Sequence, residues 1–406
     1  MSALRKLQVH MGDRLVGTIA ETQQNEIFFG YSPEWLLGGF SISPYFLPFT
    51  PELKREKDLK FEGVFGVFDD SIPDGWGRLL MDRFFRGRGA APEALSPLDR
   101  LSYVGDHGVG ALSYSPVIPG VFAPGGVMNL PIVAEQAERI AAGSPEEALP
   151  VLQTAGGSPG GSRPKVFVSY NPTSGLMYPE TALPGEGFGH WLVKFRARED
   201  PADAGSIEAA YADMARAAGV EMPPTAIFDT TAGRFFGIQR FDRGPGGMRI
   251  HTHTFGGLVN SDFRHPDRDY QEFLSVVFTL TGEFAQVEQA YLRAALNVLA
   301  HNRDDHVKNH AFSAGAKGGW RLSPAYDVTH SYGVNGEHNM TVGGSGNPGV
   351  KELMILAEEA GLKSKRAKAL LASVAASIKR WPEFAEKAGV SESSSRKIVS
   401  SFVTAD

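Results

Sequence analysis

The 406-residue chain has no cysteine. Disulfides, thiolate nucleophiles and cysteine-held zinc or iron–sulfur centres are therefore excluded, and a reducing compartment suits it. It also lacks any run of about 18 apolar residues, so no membrane-spanning helix is expected. The opening Met1-Ser2-Ala3-Leu4-Arg5-Lys6 is not followed by the apolar core of a signal peptide. The expected location is cytoplasmic, with no membrane partner. Positive charge is not in excess either. A net charge of -6 gives no global electrostatic case for nucleic acid, so any DNA contact would need a local patch. What is present is enough length for two or three structural units, and 42% hydrophobic residues to fill their cores.

The pattern along the chain predicts a β-rich first part and a helical last part. Residues 8–20 alternate around Gly12-Asp13, a hairpin signal, and Ile27 to Tyr31 reads as the next strand. A helix is predicted from Trp76 to Phe85, carrying part of an arginine cluster (Arg78, Arg83, Arg86, Arg88) that reads as a solvated face or a contact surface. A linker with one helix, Val133 to Ala142, precedes a glycine-rich stretch at 155–165. Strands follow at Val166–Tyr170, Trp191–Phe195, Ala226–Asp229 and Phe235–Phe241. Ile207 to Ala218 has apolar residues at helical spacing and stops at Gly219. Helices dominate from about residue 270, including Phe284–Leu299 and the 351–378 region. The expected division is 1–115, a linker and helix at 116–150, a β-rich lobe at 151–245 and a helical lobe at 246–406.

Four segments carry candidate chemistry. In Asn302-Arg303-Asp304-Asp305-His306-Val307-Lys308-Asn309, Asp304 and Asn309 stand five apart, the spacing of a kinase catalytic loop. Two short strands around Gly315–Gly319 would fold back and bring Asn309 near Asp327. An amide and a carboxylate so placed could share one hard cation. The Gly156–Lys165 stretch offers backbone N–H groups and a lysine to phosphate, although it is no Walker A motif because no Ser or Thr follows Lys165. By itself such a stretch is more often a flexible loop. Lys194 lies in an apolar strand, with Glu208 fourteen residues on at the start of a helix. A buried lysine needs a partner, and strand lysine with helix glutamate is a kinase pairing. Taken alone, Lys194 reads more readily as a charge on an edge strand.

Other residues carry blander readings. His301, His306 and His310 lack the spacing of a zinc protease or facial triad. His251 and His253 alternate on a strand and are expected to face solvent. The region 383–402 resembles a helix-turn-helix, with packing helices as the alternative.

Together these segments resemble the HipA family, the kinase toxins of type II toxin–antitoxin modules associated with persistence. The resemblance covers nearly the whole chain. Val9 to Phe46 and Gly108-Val109-Gly110-Ala111-Leu112 are similar to the family's N-terminal subdomain. Gly157 to Lys165 resembles its phosphate loop, Gln239-Arg240-Phe241-Asp242-Arg243 its hinge segment, Asn302 to Asn309 its catalytic loop, and Leu322 to Asp327 its metal-binding segment. The fold implied is α+β, protein-kinase-like and bilobal, with an extra N-terminal subdomain.

The resemblance implies a serine/threonine-protein kinase (a transferase) that uses ATP and Mg²⁺. Asp304 would be the catalytic base. Asn309 and Asp327 would hold magnesium, and Lys194, paired with Glu208, would contact ATP phosphates. Gly160, Gly161, Ser162 and Lys165 would form the phosphate loop. Gln239, Arg240 and Phe241 would supply the adenine hinge, with His306 and Lys308 near the phosphates. Ser158 falls at the family's autophosphorylation position, which would make the chain a phosphoprotein. Partners implied are a protein substrate, with an aminoacyl-tRNA synthetase as the family analogy, and a HipB-like helix-turn-helix antitoxin through which operator DNA would be reached. The consequence would be growth arrest. Two alternatives stay open: a small-molecule kinase of the same fold, and a protein acting mainly as a DNA-bound corepressor with an antitoxin.

Overall fold

The computed structural model describes residues 4–121, 126–144, 150–156, 161–180 and 185–403. Its N-terminal unit is built on an antiparallel five-stranded sheet, ordered Lys54–Arg55, Ile27–Tyr31, Arg14–Glu21, Arg5–Met11 and Leu112–Ser115. Gly12 takes the left-handed conformation that the tight first hairpin needs, with φ +58°. Val9, Val16, Ile19, Ile27 and Phe29 turn inward, and the Pro97–Val104 helix adds Leu98 and Leu101 to the same core. The Gly75–Gly87 helix lies within this unit, but its Trp76 and Leu80 face away into the next one.

A second antiparallel sheet runs Met177–Pro179, Lys165–Tyr170, Gly189–Lys194, Gly233–Gln239 and Thr225–Thr230. The period of two divides its residues between two faces. Val166, Val193 and Phe235 pack with Trp76, Leu80 and the helices Leu130–Ala141 and Pro150–Gly156. Lys165, Lys194 and Phe236 are the intervening residues, and Lys165 is the cross-strand partner of Lys194. Gly189–Lys194 is a central strand, so Lys194 is not an edge charge.

The third part is helical. Tyr270–Thr281, Phe284–Leu299, Val350–Glu359, Ser364–Lys379 and Trp381–Ala388 share one core with the Ala204–Ala218 helix. That helix ends at Gly219, whose φ of +94° gives the left-handed cap predicted there. A small sheet of His251–Thr254, Ala311–Ala314 and Trp320–Leu322 crosses the base of this lobe. His251 and His253 are not solvent-facing. His251 donates from Nε2 to the Ile42 carbonyl at 2.8 Å, and His253 meets Asp70 through Nδ1 at 2.6 Å. Both rings are buried because the N-terminal unit covers this sheet. The architecture is a kinase-like bilobal α+β fold with an N-terminal unit added.

Candidate active site

The catalytic-loop segment leaves the Phe284–Leu299 helix through His301, which sits at φ +57°. Asp305 anchors the loop. Its carboxylate accepts from the Tyr270 hydroxyl at 2.8 Å, from the Asn339 N–H at 2.9 Å and from His338 Nδ1 at 2.9 Å. Asn297 and Asn302 extend the network behind it. With Asp305 so committed, the loop bends back on itself. Asn309 donates its amide N–H to the backbone carbonyl of Asp304 at 2.7 Å, which leaves the Asn309 amide oxygen to face elsewhere. Among the described residues no donor is hydrogen-bonded to the Asp304 carboxylate. Burial pushes the Asp304 carboxyl pKa up; His306 opposes the shift and Asp327 adds to it.

The predicted hairpin does bring the metal-binding candidates together. The Tyr326 hydroxyl donates to the Lys308 carbonyl at 2.6 Å, fastening the two segments beside Asn309. Asn309 and Asp327 line the same small cavity of about 10 Å³. Asp327 adopts φ +55°, a left-handed conformation that aspartate tolerates better than most residues.

Lys194 bonds to both Glu208 and Asp327, the latter at 2.6 Å. Burial opposes its charge, but Asp327 and Glu208 outweigh burial and hold its pKa up. The same contact works on Asp327: burial resists its ionisation, yet Lys194 and then Lys165 keep its carboxyl well below the usual range. Lys165 differs. It is buried, and among the described residues its ammonium makes no hydrogen bond or ion pair. Burial lowers its pKa, with Asp327 pulling the other way and Lys194 adding to the decrease. A desolvated ammonium without a direct partner is the kind of group an anion would satisfy.

The other predicted residues divide. His306 lies within electrostatic reach of Asp304 and Asp327 and packs on Phe263 at 5.0 Å between ring centroids. Phe241 stacks on Tyr326 at 5.4 Å, and among the described residues its N–H makes no hydrogen bond. The Gln239 N–H is taken by the Pro224 carbonyl. Arg240 and Lys308 point to other partners. Arg240 is held by Glu180 and Asp242 over the Phe167 ring. Lys308 reaches Asp69 at 2.9 Å and Asp74 at 3.7 Å. Gly161 and Ser162 lie in the turn that leads into the strand starting at Lys165, while Gly160 and Ser158 lie outside the described residues.

Two features were missed from sequence. Arg163, gripped by both Asp200 oxygens at 2.9–3.1 Å, lies within electrostatic reach of Asp304, Asp327 and Glu208. Asp74 and Trp76 hold the segment 161–165 from the N-terminal unit. A basic residue in the loop motif could have drawn attention to Arg163. Nothing local marks Asp74, whose partner is 87 residues away.

A family model described as the HipA-like C-terminal domain matches residues 157–382, and one for the HipA N-terminal domain matches residues 7–115. The chain belongs to the HipA family. Its fold matches that of Shewanella oneidensis HipA, solved with HipB and its operator DNA, at a TM-score of 0.69 over 97% of this chain and 94% of that one, with 17% identity. A putative kinase of Sinorhizobium fredii, Y4dM, is 27% identical over 161 residues. That stretch is 36% of this chain and 39% of the relative, so the chain spans well under two thirds of that relative's length. The Helicobacter pylori proinflammatory kinase CtkA gives a TM-score of 0.35 at 10% identity over 53% of this chain and 88% of that one, a likeness too slight to argue from.

Proposed function

We propose that this HipA-family protein transfers the γ-phosphoryl group of ATP to a serine or threonine hydroxyl of a protein. One observation carries the reading: Asp327, bonded to Lys194 at 2.6 Å, shares a cavity with Asn309, whose amide donates to the backbone carbonyl of Asp304 at 2.7 Å. Phosphoryl transfer asks a protein mainly for positioned charge and one proton acceptor. In the proposed step the substrate oxygen bonds to the γ-phosphorus and the bond to the β–γ bridging oxygen breaks. ADP leaves, and the hydroxyl proton passes to Asp304.

The residues present fit magnesium. Among the described residues no three His, Asp or Glu side chains form a ready cage, but a nucleotide-borne magnesium takes only one or two protein oxygens, with phosphates and water completing its shell. Asn309 and Asp327 would hold it, and it would neutralise charge developing on the phosphates. Lys194 would then exchange its bond to Asp327 for a phosphate oxygen while keeping Glu208. Lys165 would be the second phosphate contact. Phe241 would offer its N–H to the adenine edge.

The same reading includes autophosphorylation at Ser158, which would add roughly -1.5 to -2 charges next to the phosphate site and expel the loop. A Ser158→Ala protein that still gathers phosphate within 157–165 and inactivates itself would refute that assignment. The solved Shewanella HipA is in complex with HipB and operator DNA, and a helix-turn-helix antitoxin is the partner proposed for this chain. With a net charge of -6, DNA would be reached through that partner rather than alone. An aminoacyl-tRNA synthetase target and growth arrest remain the family analogy. The test is incorporation of labelled phosphate from ATP with magnesium into the protein itself and into a cell extract. Asp304→Asn abolishes both in a protein that keeps its fold; undiminished incorporation would remove Asp304 from the role of base.

A further inference from the structure

The helix Gly75–Gly87 begins at Asp74, which occupies the N-cap position yet makes no side-chain bond to its own helix. An aspartate there ordinarily caps the first turn. Here the bonds are exchanged. The Asp74 carboxylate accepts the Gly161 N–H of the turn before the Lys165 strand, and the Gly161 carbonyl accepts the Trp76 N–H at 2.8 Å, doing the capping instead. The Trp76 indole then donates to the Lys165 carbonyl at 2.9 Å. Three bonds from one turn therefore hold both ends of the segment 161–165. Contact is close enough that a Cβ on Gly75 would come within 2.5 Å of the Gly161 carbonyl oxygen. The other carboxylate oxygen of Asp74 stands 3.7 Å from the Lys308 ammonium of the catalytic loop, which Asp69 holds at 2.9 Å. Burial resists ionisation of Asp74, but Lys308 and the Gly161 N–H keep it charged.

We propose that Asp74 is a positioning residue through which the N-terminal unit sets the nucleotide affinity of the active site. This rests on the kinase reading and deepens it. Gly161 and Lys165 can meet phosphates only if the segment 161–165 is held at the correct depth over the catalytic loop. Asp74 is the group that touches both sides. Preorganised contacts raise affinity by removing an ordering cost from binding. The coupling is also reciprocal: if the tie strengthens nucleotide binding, nucleotide must strengthen the tie.

The test is equilibrium binding of a non-hydrolysable ATP analogue with magnesium to the full chain. Asp74→Asn is expected to weaken binding about tenfold, the worth of one charge-assisted hydrogen bond. Asp69→Asn, which loosens Lys308 but leaves Gly161 tied, should change binding less. In turnover the KM for ATP should rise more than kcat falls. In the unaltered protein, saturating analogue should slow hydrogen exchange at the Trp76 amide. Equal affinity of the wild type and Asp74→Asn overturns the proposal. So does a Trp76 amide indifferent to nucleotide, a result that needs no variant to fold. A wild-type protein that binds no analogue at all would overturn the kinase reading itself.

Discussion

Asp305 accepts three hydrogen bonds and is committed to them, while the carboxylate of Asp304, next to it, accepts none among the described residues. The sequence shows two adjacent aspartates; the difference between them comes from Tyr270, His338 and Asn339, which no local pattern locates. Replacing Asp305 by Ala should strand three buried donors and cost about 3–5 kcal/mol, measured by urea unfolding. Asp304→Asn should leave stability within about 1 kcal/mol yet lower phosphate transfer by about 10²–10⁴-fold. The raised Asp304 pKa gives a sign as well. A base must be deprotonated to work, so kcat/KM should fall as pH drops through a value above the ordinary carboxyl pKa, and a profile with no acidic limb would count against this role. The pairing of Lys194 with Glu208 and the approach of Asn309 to Asp327 were legible because the strand and loop patterns set their spacing. Lys308 was read too narrowly, since its partners Asp69 and Asp74 come from a unit more than 200 residues earlier.

Elements were easier to read than their surroundings. The Gly12-Asp13 hairpin, the Phe284–Leu299 helix and the Gly219 stop follow from local turn chemistry and periodicity. The His251–Thr254 strand was also foreseen, but its exposure was not: alternation says that residues share a face, not whether another unit covers it. At the C-terminus, Trp381–Ala388 and Glu392–Val399 have the outline of a helix-turn-helix. Their contacts are those of packing helices. Trp381 is fully buried, edge-on to Tyr211 with ring centroids 5.0 Å apart. Trp381→Ala should therefore destabilise the lobe by about 3–5 kcal/mol in denaturant unfolding. An unchanged midpoint would mean that these helices are not part of the core.

Across the whole molecule, burial of histidines links stability to pH. His251 is pushed down to about 4 and His310 to about 3, in each case first by burial. The unfolded chain takes up protons at about pH 6.5 while the folded one resists. Their stabilisation is thus complete above pH 6.5 and is lost as pH falls toward 4 and 3. At pH 5 the loss is on the order of 2 kcal/mol per histidine. Thermal midpoints should drop between pH 7 and pH 5, and less steeply in His251→Phe. His251 belongs to the contact between the N-terminal unit and the helical lobe, so this titration reports on how firmly the parts are joined. The division into parts was visible in composition and periodicity; the ties across it, through Asp70, Asp74 and Trp76, depend on residues that meet only in the fold. The central claim is the gathering of Asp304, Asn309 and Asp327 around bound ATP and magnesium. A crystal structure with magnesium and a non-hydrolysable ATP analogue tests it most directly. The account predicts the cation on Asn309 and Asp327, Lys165 and Lys194 on phosphate oxygens, and Asp304 facing the γ-phosphate. Nucleotide bound elsewhere, or a cation held by neither residue, would contradict it.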